Sequence, residues 1–195
     1  EGIQGEGGIT PARADYLLGL RQLCDERKLL LLVDAVQCGH FRSGRFQSFQ
    51  RVLEGVEGAA GFLPDGVSMA KSLGGGFPIG AFWVREPYQD LLGPGTHGTT
   101  FGGTPLGCAV ANKIFEVIER DGLVNNVRTL GDWLKGELER LGATYPNIVK
   151  GGRGLGFMLG LELQPKEQIP AFAGNDRAAS MQMAAVRTWR EGLLG

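Results

Sequence analysis

Leu17, Leu20, Leu23 and Cys24 recur at helical spacing as far as Lys28. Thr10 and Pro11 stand in front of them, which predicts a helix with Thr10 as N-cap and Pro11 in its first position. Residues 29–33 (LLLLV) follow without a polar interruption. An apolar run of strand length directly after a helix predicts a parallel strand buried on both faces, ending at Asp34. Phe46, Phe49, Val52, Leu53 and Val56 predict a second amphipathic helix, and a Gly/Ala-rich link at 58–61 closes it. Residues 67–70 then read as a short strand ending at Lys71. After Gly74-Gly75-Gly76, residues 79–84 read as another.

Residues 93–104 are loop, rich in Gly and Thr. Pro105 opens a helix running to Arg120, and 123–141 forms the next. Residues 148–150 and 157–163 predict a hairpin around Gly151-Gly152-Arg153-Gly154, and a final helix is expected over 176–190. Helices alternating with strands predict an α/β chain. The boundary between domains falls in the helix 123–141. Residues 1–125 then form part of a large domain, and 126–195 a linking helix with part of a small α+β domain.

Composition narrows the function classes. The chain has 195 residues, 43% hydrophobic and 21% charged, which is globular and not disordered. Lys+Arg is 20 against Asp+Glu 21, so no basic excess points to a nucleic-acid backbone. The 33 glycines cluster without a fixed period, which excludes collagen and marks tight turns. No apolar run of about 18 residues spans a membrane, and Glu1-Gly2-Ile3-Gln4 lacks the start of a signal peptide. Cys24, Cys38 and Cys108 are odd in number and far apart, which fits a reducing cytoplasm better than a disulfide framework. His40 and His97 share no metal-ligand spacing, so no zinc site is expected.

Four places could carry chemistry. Asp34 ends an apolar strand, where ligand sites of open α/β sheets gather; the plainer alternative is that it caps the next turn. A Walker-B reading of Asp34 lacks its phosphate loop, because Ala81 and Phe82 follow Gly75 to Gly80 where Lys and Ser/Thr are needed. Lys71 sits between a strand and three glycines. Most lysines are solvated surface cations, but apolar Met69, Ala70 and Leu73 would desolvate this amine and favour its nucleophilic form. One βαβ crossover would set Asp34 and Lys71 on the same sheet edge. An acid and an amine so placed are what pyridoxal phosphate (PLP) chemistry requires. The loop 97–105 offers hydroxyls and backbone N–H groups before a helix, either an anion site or an ordinary loop with Thr104 as N-cap. Gly152 to Gly156 resembles GxGxxG but precedes a strand, so a turn is the better account.

Five runs, in order, resemble one family: EGIQGEGG (1–8), LLVDAVQCGHFRSG (31–44), MAKSLGGGFPIGA (69–81), HGTTFGGTPLGCAVA (97–111) and RGLGFMLGLEL (153–163). They are similar to class III PLP-dependent aminotransferases, and among them to the acetylornithine aminotransferase group. The resemblance covers nearly the whole chain. It implies a type I PLP-transferase fold, a mostly parallel sheet flanked by helices with part of a small C-terminal domain, and a homodimer with shared active sites. By resemblance Lys71 is the Schiff-base lysine, Asp34 the partner of the pyridinium nitrogen, and Gln37 the residue bonded to the cofactor's phenolic oxygen. Thr100, with Thr99 beside it, matches the phosphate-binding hydroxyl offered to the neighbouring subunit. Glu6 resembles the glutamate that pairs with a substrate-binding arginine.

The implied reaction moves an amino group from N-acetylornithine, or a similar ω-amino donor, to 2-oxoglutarate in arginine biosynthesis. Ornithine and 4-aminobutyrate aminotransferases share the motifs, and a catalytically incompetent fragment or binding module is the alternative of another class. Two positions depart from the family pattern. Ala35 stands where Glu is usual, and Gly2 where Pro is usual. The family's upstream phosphate loop, its ring-stacking aromatic and its carboxylate-binding arginines match nothing in these residues. A partial aminotransferase with little turnover by itself is therefore expected.

Overall fold

The structure is a computed structural model and describes residues 1–169. It opens on two short strands, β1 (Ile3–Gln4) and β2 (Thr10–Pro11), paired antiparallel. Thr10 and Pro11 therefore do not start a helix. Ala12 N–H donates to the Gly2 carbonyl at 2.9 Å, which keeps the chain extended through residue 12. Helix α1 (Ala14–Arg27) begins after it, with Arg13 at its N-cap paired to Asp15 at 2.7 Å. It ends where Lys28 turns left-handed, at φ 55°.

Strand β3 (Leu32–Asp34) runs parallel to β4 (Gly66–Met69), and β5 (Ala81–Val84) runs antiparallel to β4. Among the described residues the order is β3-β4-β5, so β3 is an edge there. This corrects the expectation that residues 29–33 are buried on both faces. Leu29 and Leu32 are 55% and 58% exposed, and only Val33 enters the core. An edge strand has one neighbour, and the pleat sends alternate side chains to opposite faces. Val33 packs with Leu17, Ala35, Phe49, Leu53 and Val67, which joins α1, the sheet and the crossover.

The crossover helix α2 (Ser48–Val52) is shorter than the apolar spacing over 46–56 predicts. Leu53 caps it and Gly55 takes φ 73°, a conformation no helix continues through. Helix α3 (Pro105–Arg120) lies where the sequence places it, and α4 (Leu123–Thr144) runs three residues past the expected end. Strands β6 (Val149–Leu155) and β7 (Met158–Leu163) pair around Gly156 and Phe157. The turn is thus not at 151–154. Those glycines lie inside β6, where a Cβ on Gly152 would stand 2.8 Å from the Cβ of Leu138. They let the strand lie close against α4.

The chain divides into two compact units. One holds Glu1–Asp132 with Gly154–Met158; the other holds Trp133–Arg153 and, among the described residues, those from Leu159. The helix expected over 176–190 lies outside the described residues. Among those residues no helix is long and apolar enough to cross a membrane, no group of side chains is arranged for a metal, and Cys24, Cys38 and Cys108 are free.

Candidate active site

Parallel strands finish on the same edge. In the β3–β4 register Asp34 stands opposite Ser68, and Ala35 N–H donates to the Ser68 carbonyl at 2.9 Å. Lys71 follows the end of β4 by two residues, so acid and amine leave the sheet from one edge. Asp34 is exposed. Its Oδ1 accepts Val36 N–H at 2.8 Å, which caps the turn after β3 and leaves Oδ2 without a hydrogen bond to any described residue. Capping and ligand binding are therefore compatible here, one oxygen for each.

Lys71 opens a 3-10 turn (Lys71–Leu73) at φ 47°, a left-handed conformation uncommon for a residue with a side chain. The turn is held by Leu73 N–H on the Ala70 carbonyl at 3.0 Å and by Gly74 N–H on the Lys71 carbonyl at 3.1 Å. A Cβ on Gly74 would collide with the Phe77 carbonyl, which fixes glycine at that place. The apolar sheath expected around the amine is not formed. Lys71 is exposed, because Leu73 turns inward and Met69 and Ala70 are only half-buried.

Gln37 follows Asp34 on the same loop and is half-buried. A Cβ on Gly5 would collide with its side-chain amide, so the β1–β2 turn lies directly over Gln37. Glu6 is the next residue of that turn and is exposed. The fold therefore gathers Asp34, Gln37, Lys71 and the turn bearing Glu6. Thr99 and Thr100 lie on the exposed loop before α3, Thr99 folded against Gly102, and no hydrogen bond links either threonine to Asp34, Gln37 or Lys71 among the described residues. Thr104 caps α3 by position only, with no side-chain bond.

Three features escaped the sequence reading. His40 is 5% exposed, and its Nδ1 lies 3.3 Å from Ser72 Oγ, next to Lys71. Burial pushes its imidazole below the ordinary value. Asp65 is 1% exposed just before β4, at the opposite end of that strand. It accepts Leu31 N–H and the Arg21 guanidinium, both at 2.8 Å, on Oδ2. Arg85 stands 3.0 Å from Oδ1, an ion pair without hydrogen-bond alignment. Burial alone would raise the Asp65 pKa, but the Leu31 N–H and the two arginines outweigh it and hold the carboxyl below the usual range. A cavity of about 260 Å³ lies along the free edge of β3, lined by Thr10, Tyr16, Leu20, Leu32 and Phe62 among others. It contains none of Asp34, Gln37 and Lys71.

The family described as Aminotransferase class-III matches residues 1–188. The acetylornithine aminotransferase of Rhodobacter capsulatus is 43% identical over 164 residues, which is 84% of this chain and 40% of that protein. The succinylornithine transaminase of Salmonella agona is 40% identical over 184 residues, 94% of this chain and 42% of that protein. A solved structure of the ornithine aminotransferase from Toxoplasma gondii, with PLP partly occupying its active site, superposes at a TM-score of 0.73 with 37% identity. It covers 84% of this chain and 37% of that one. This chain thus spans about two fifths of the length of these relatives.

Proposed function

The chain belongs to the class III aminotransferases, and we propose that it carries the cofactor-anchoring part of an enzyme that transfers the amino group of an N-acylated ornithine to 2-oxoglutarate. The observation that carries this reading is the parallel β3–β4 register, which sets the Asp34 carboxylate and the Lys71 amine on one sheet edge.

The family's cofactor is pyridoxal 5'-phosphate, and the donor set fits it. Asp34 has a carboxylate oxygen left over from its turn, Lys71 has an exposed amine, and Gln37 an amide beside them. Bound PLP supplies an aldehyde carbon that condenses with amines and a protonated ring that accepts an electron pair. Asp34 would hold the proton on the ring nitrogen. Gln37 would donate its amide N–H to the phenolic oxygen. Lys71 would anchor the aldehyde carbon and, once the donor amine displaces it, carry a proton to and from the substrate carbon. Glu6 would neutralise a substrate-binding arginine between half-reactions, while Thr99 and Thr100 would reach the phosphate held by a second copy in a homodimer. We place this enzyme in the cytoplasm, in keeping with its free cysteines.

The donor is N-acetylornithine or N-succinylornithine in this reading, supported by the relatives that bear those names. Ornithine itself is the second reading, favoured by the solved ornithine aminotransferase that shares the fold. The test offers each donor with 2-oxoglutarate and PLP, and follows glutamate. Faster turnover of the N-acylated donors supports the proposal; preference for ornithine or 4-aminobutyrate replaces it. The 195 residues by themselves should turn over little, because the family's upstream phosphate loop and carboxylate-binding arginines match nothing in them and positioning is a large part of the rate.

A further inference from the structure

We propose that His40 is a positioning residue for Lys71, acting through its hydrogen bond to Ser72. This rests on the reading of Lys71 as the cofactor anchor.

Two strained segments meet at this bond. After β3 the chain passes through His40 at φ 51° and Phe41 at φ 63°, consecutive left-handed residues with side chains. After β4 it passes through Lys71 at φ 47°. Backbone of this kind persists only where its surroundings over-determine it. Among the side chains of the Lys71–Leu73 turn, Ser72 alone makes a hydrogen bond to another described residue, His40 Nδ1.

The imidazole is suited to hold the turn. It is 5% exposed and lies edge-on to Phe46 and Phe115, with ring centroids at 5.8 and 6.2 Å. Its Nε2 is buried and has no hydrogen-bond partner among the described residues. A buried ring with one nitrogen unsatisfied gives up nearly all its hydrogen bonding if the Ser72 contact breaks. The Ser72 hydroxyl can both donate and accept, so Nδ1 keeps this bond in either tautomer of the ring. The ring cannot swing away without opening the aromatic cluster, and Ser72 cannot move without carrying Lys71.

The variants Ser72→Ala, His40→Phe, the two together, and His40→Asn test the coupling. Asparagine offers a polar atom near the position of Nδ1 and tolerates the left-handed backbone. Two signals are read. One is hydrogen exchange at the Leu73 and Gly74 amides in cofactor-free protein; the other is the rate at which borohydride fixes PLP on Lys71 at limiting cofactor. We expect Ser72→Ala and His40→Phe each to speed exchange and slow fixation several-fold. The double variant should be no worse than either, and His40→Asn should remain near the parent. Unchanged exchange in Ser72→Ala, which removes only a hydroxyl and should fold, overturns the proposal. So do additive effects in the double variant, or loss in His40→Asn equal to that in His40→Phe. If the parent fixes PLP on another lysine, the anchor assignment fails, while the exchange data still decide whether His40 holds the turn.

Discussion

Asp34 stands opposite Ser68 in the parallel β3–β4 register, and that pairing brings the carboxylate to the edge where Lys71 leaves β4. The relationship is made entirely by backbone hydrogen bonds. Substitutions at either side chain should therefore change the chemistry while leaving the sheet intact.

Lys71→Ala should abolish borohydride fixation of PLP, because the exposed amine at this edge is the one poised for the aldehyde. Peptide mapping by mass spectrometry reads the outcome. Cofactor recovered on Lys113, an exposed lysine of α3 paired to Glu116, would sink the assignment.

Asp34→Asn keeps an oxygen for the Val36 N–H and so should fold normally. A neutral amide cannot hold the ring proton, and loss of one aligned electrostatic partner commonly costs about 10²–10³ in kcat. PLP should still be retained. Asp34→Glu should fall between the two, since the charge survives but is displaced. Activity of Asp34→Asn within about threefold of the parent, a difference of under ~1 kcal/mol, would remove the role.

Much of this candidate site's placement in the fold was legible because its parts are local. Strand-end Asp34, strand-end Lys71 and the helix from Pro105 each announce themselves by short-range pattern, and the motif order supplied the rest. The misreadings share a different cause. Whether residues 29–33 are covered depends on which strands lie beside them, and whether Thr10 caps a helix depends on Gly2, eight residues before it, claiming the Ala12 N–H. Neither is written in local periodicity. His40 and Ser72 are likewise joined only by the fold, and nothing in the spacing of two polar residues foretells their bond.

Asp65 should be the costliest polar residue of the sheet to neutralise. Removing its charge leaves Arg21, whose side chain is 14% exposed, beside an uncharged buried partner. Breaking such a buried pair typically costs ~3–5 kcal/mol. Asp65→Asn should therefore lower the denaturant midpoint sharply, as followed by circular dichroism. A shift equivalent to less than ~1 kcal/mol would show that Arg21 and Arg85 find other partners or water.

Glu54 should make the fold acid-sensitive. The Arg128 hydrogen bond comes first in holding its pKa down to about 2, and Arg45 and Arg51 add to it. Arg128 reaches it from α4 at 2.7 Å and Arg51 from α2 at 2.6 Å. The folded value lies below the unfolded one, so the stabilisation is present above about pH 4.5 and fades as pH falls toward 2. Its size should be of order 2 kcal/mol after allowance for solvent at the arginines. Denaturation curves of the parent and Glu54→Gln should differ fully at pH 7, less at pH 3, and nearly converge only as pH reaches about 2. A difference that persists at low pH would mean Glu54 acts by packing and not by charge.

Thr100 should serve the cofactor of a neighbouring copy. Its loop is exposed, Phe101 beside it is 82% exposed, and no hydrogen bond ties Thr100 to Lys71 of its own chain. An apolar side chain so bare next to these two hydroxyls fits a surface that another subunit covers. Lys71→Ala and Thr100→Ala versions of the whole enzyme should each be impaired. In a mixed dimer one site then collects both lesions and the other has neither. Equal random mixing in a two-fold dimer should restore about a quarter of the parental rate. If the loop served its own chain, every site in the mixture would carry a lesion and no rate would return. Native mass spectrometry showing mixed dimers, together with no recovery, would refute the shared site.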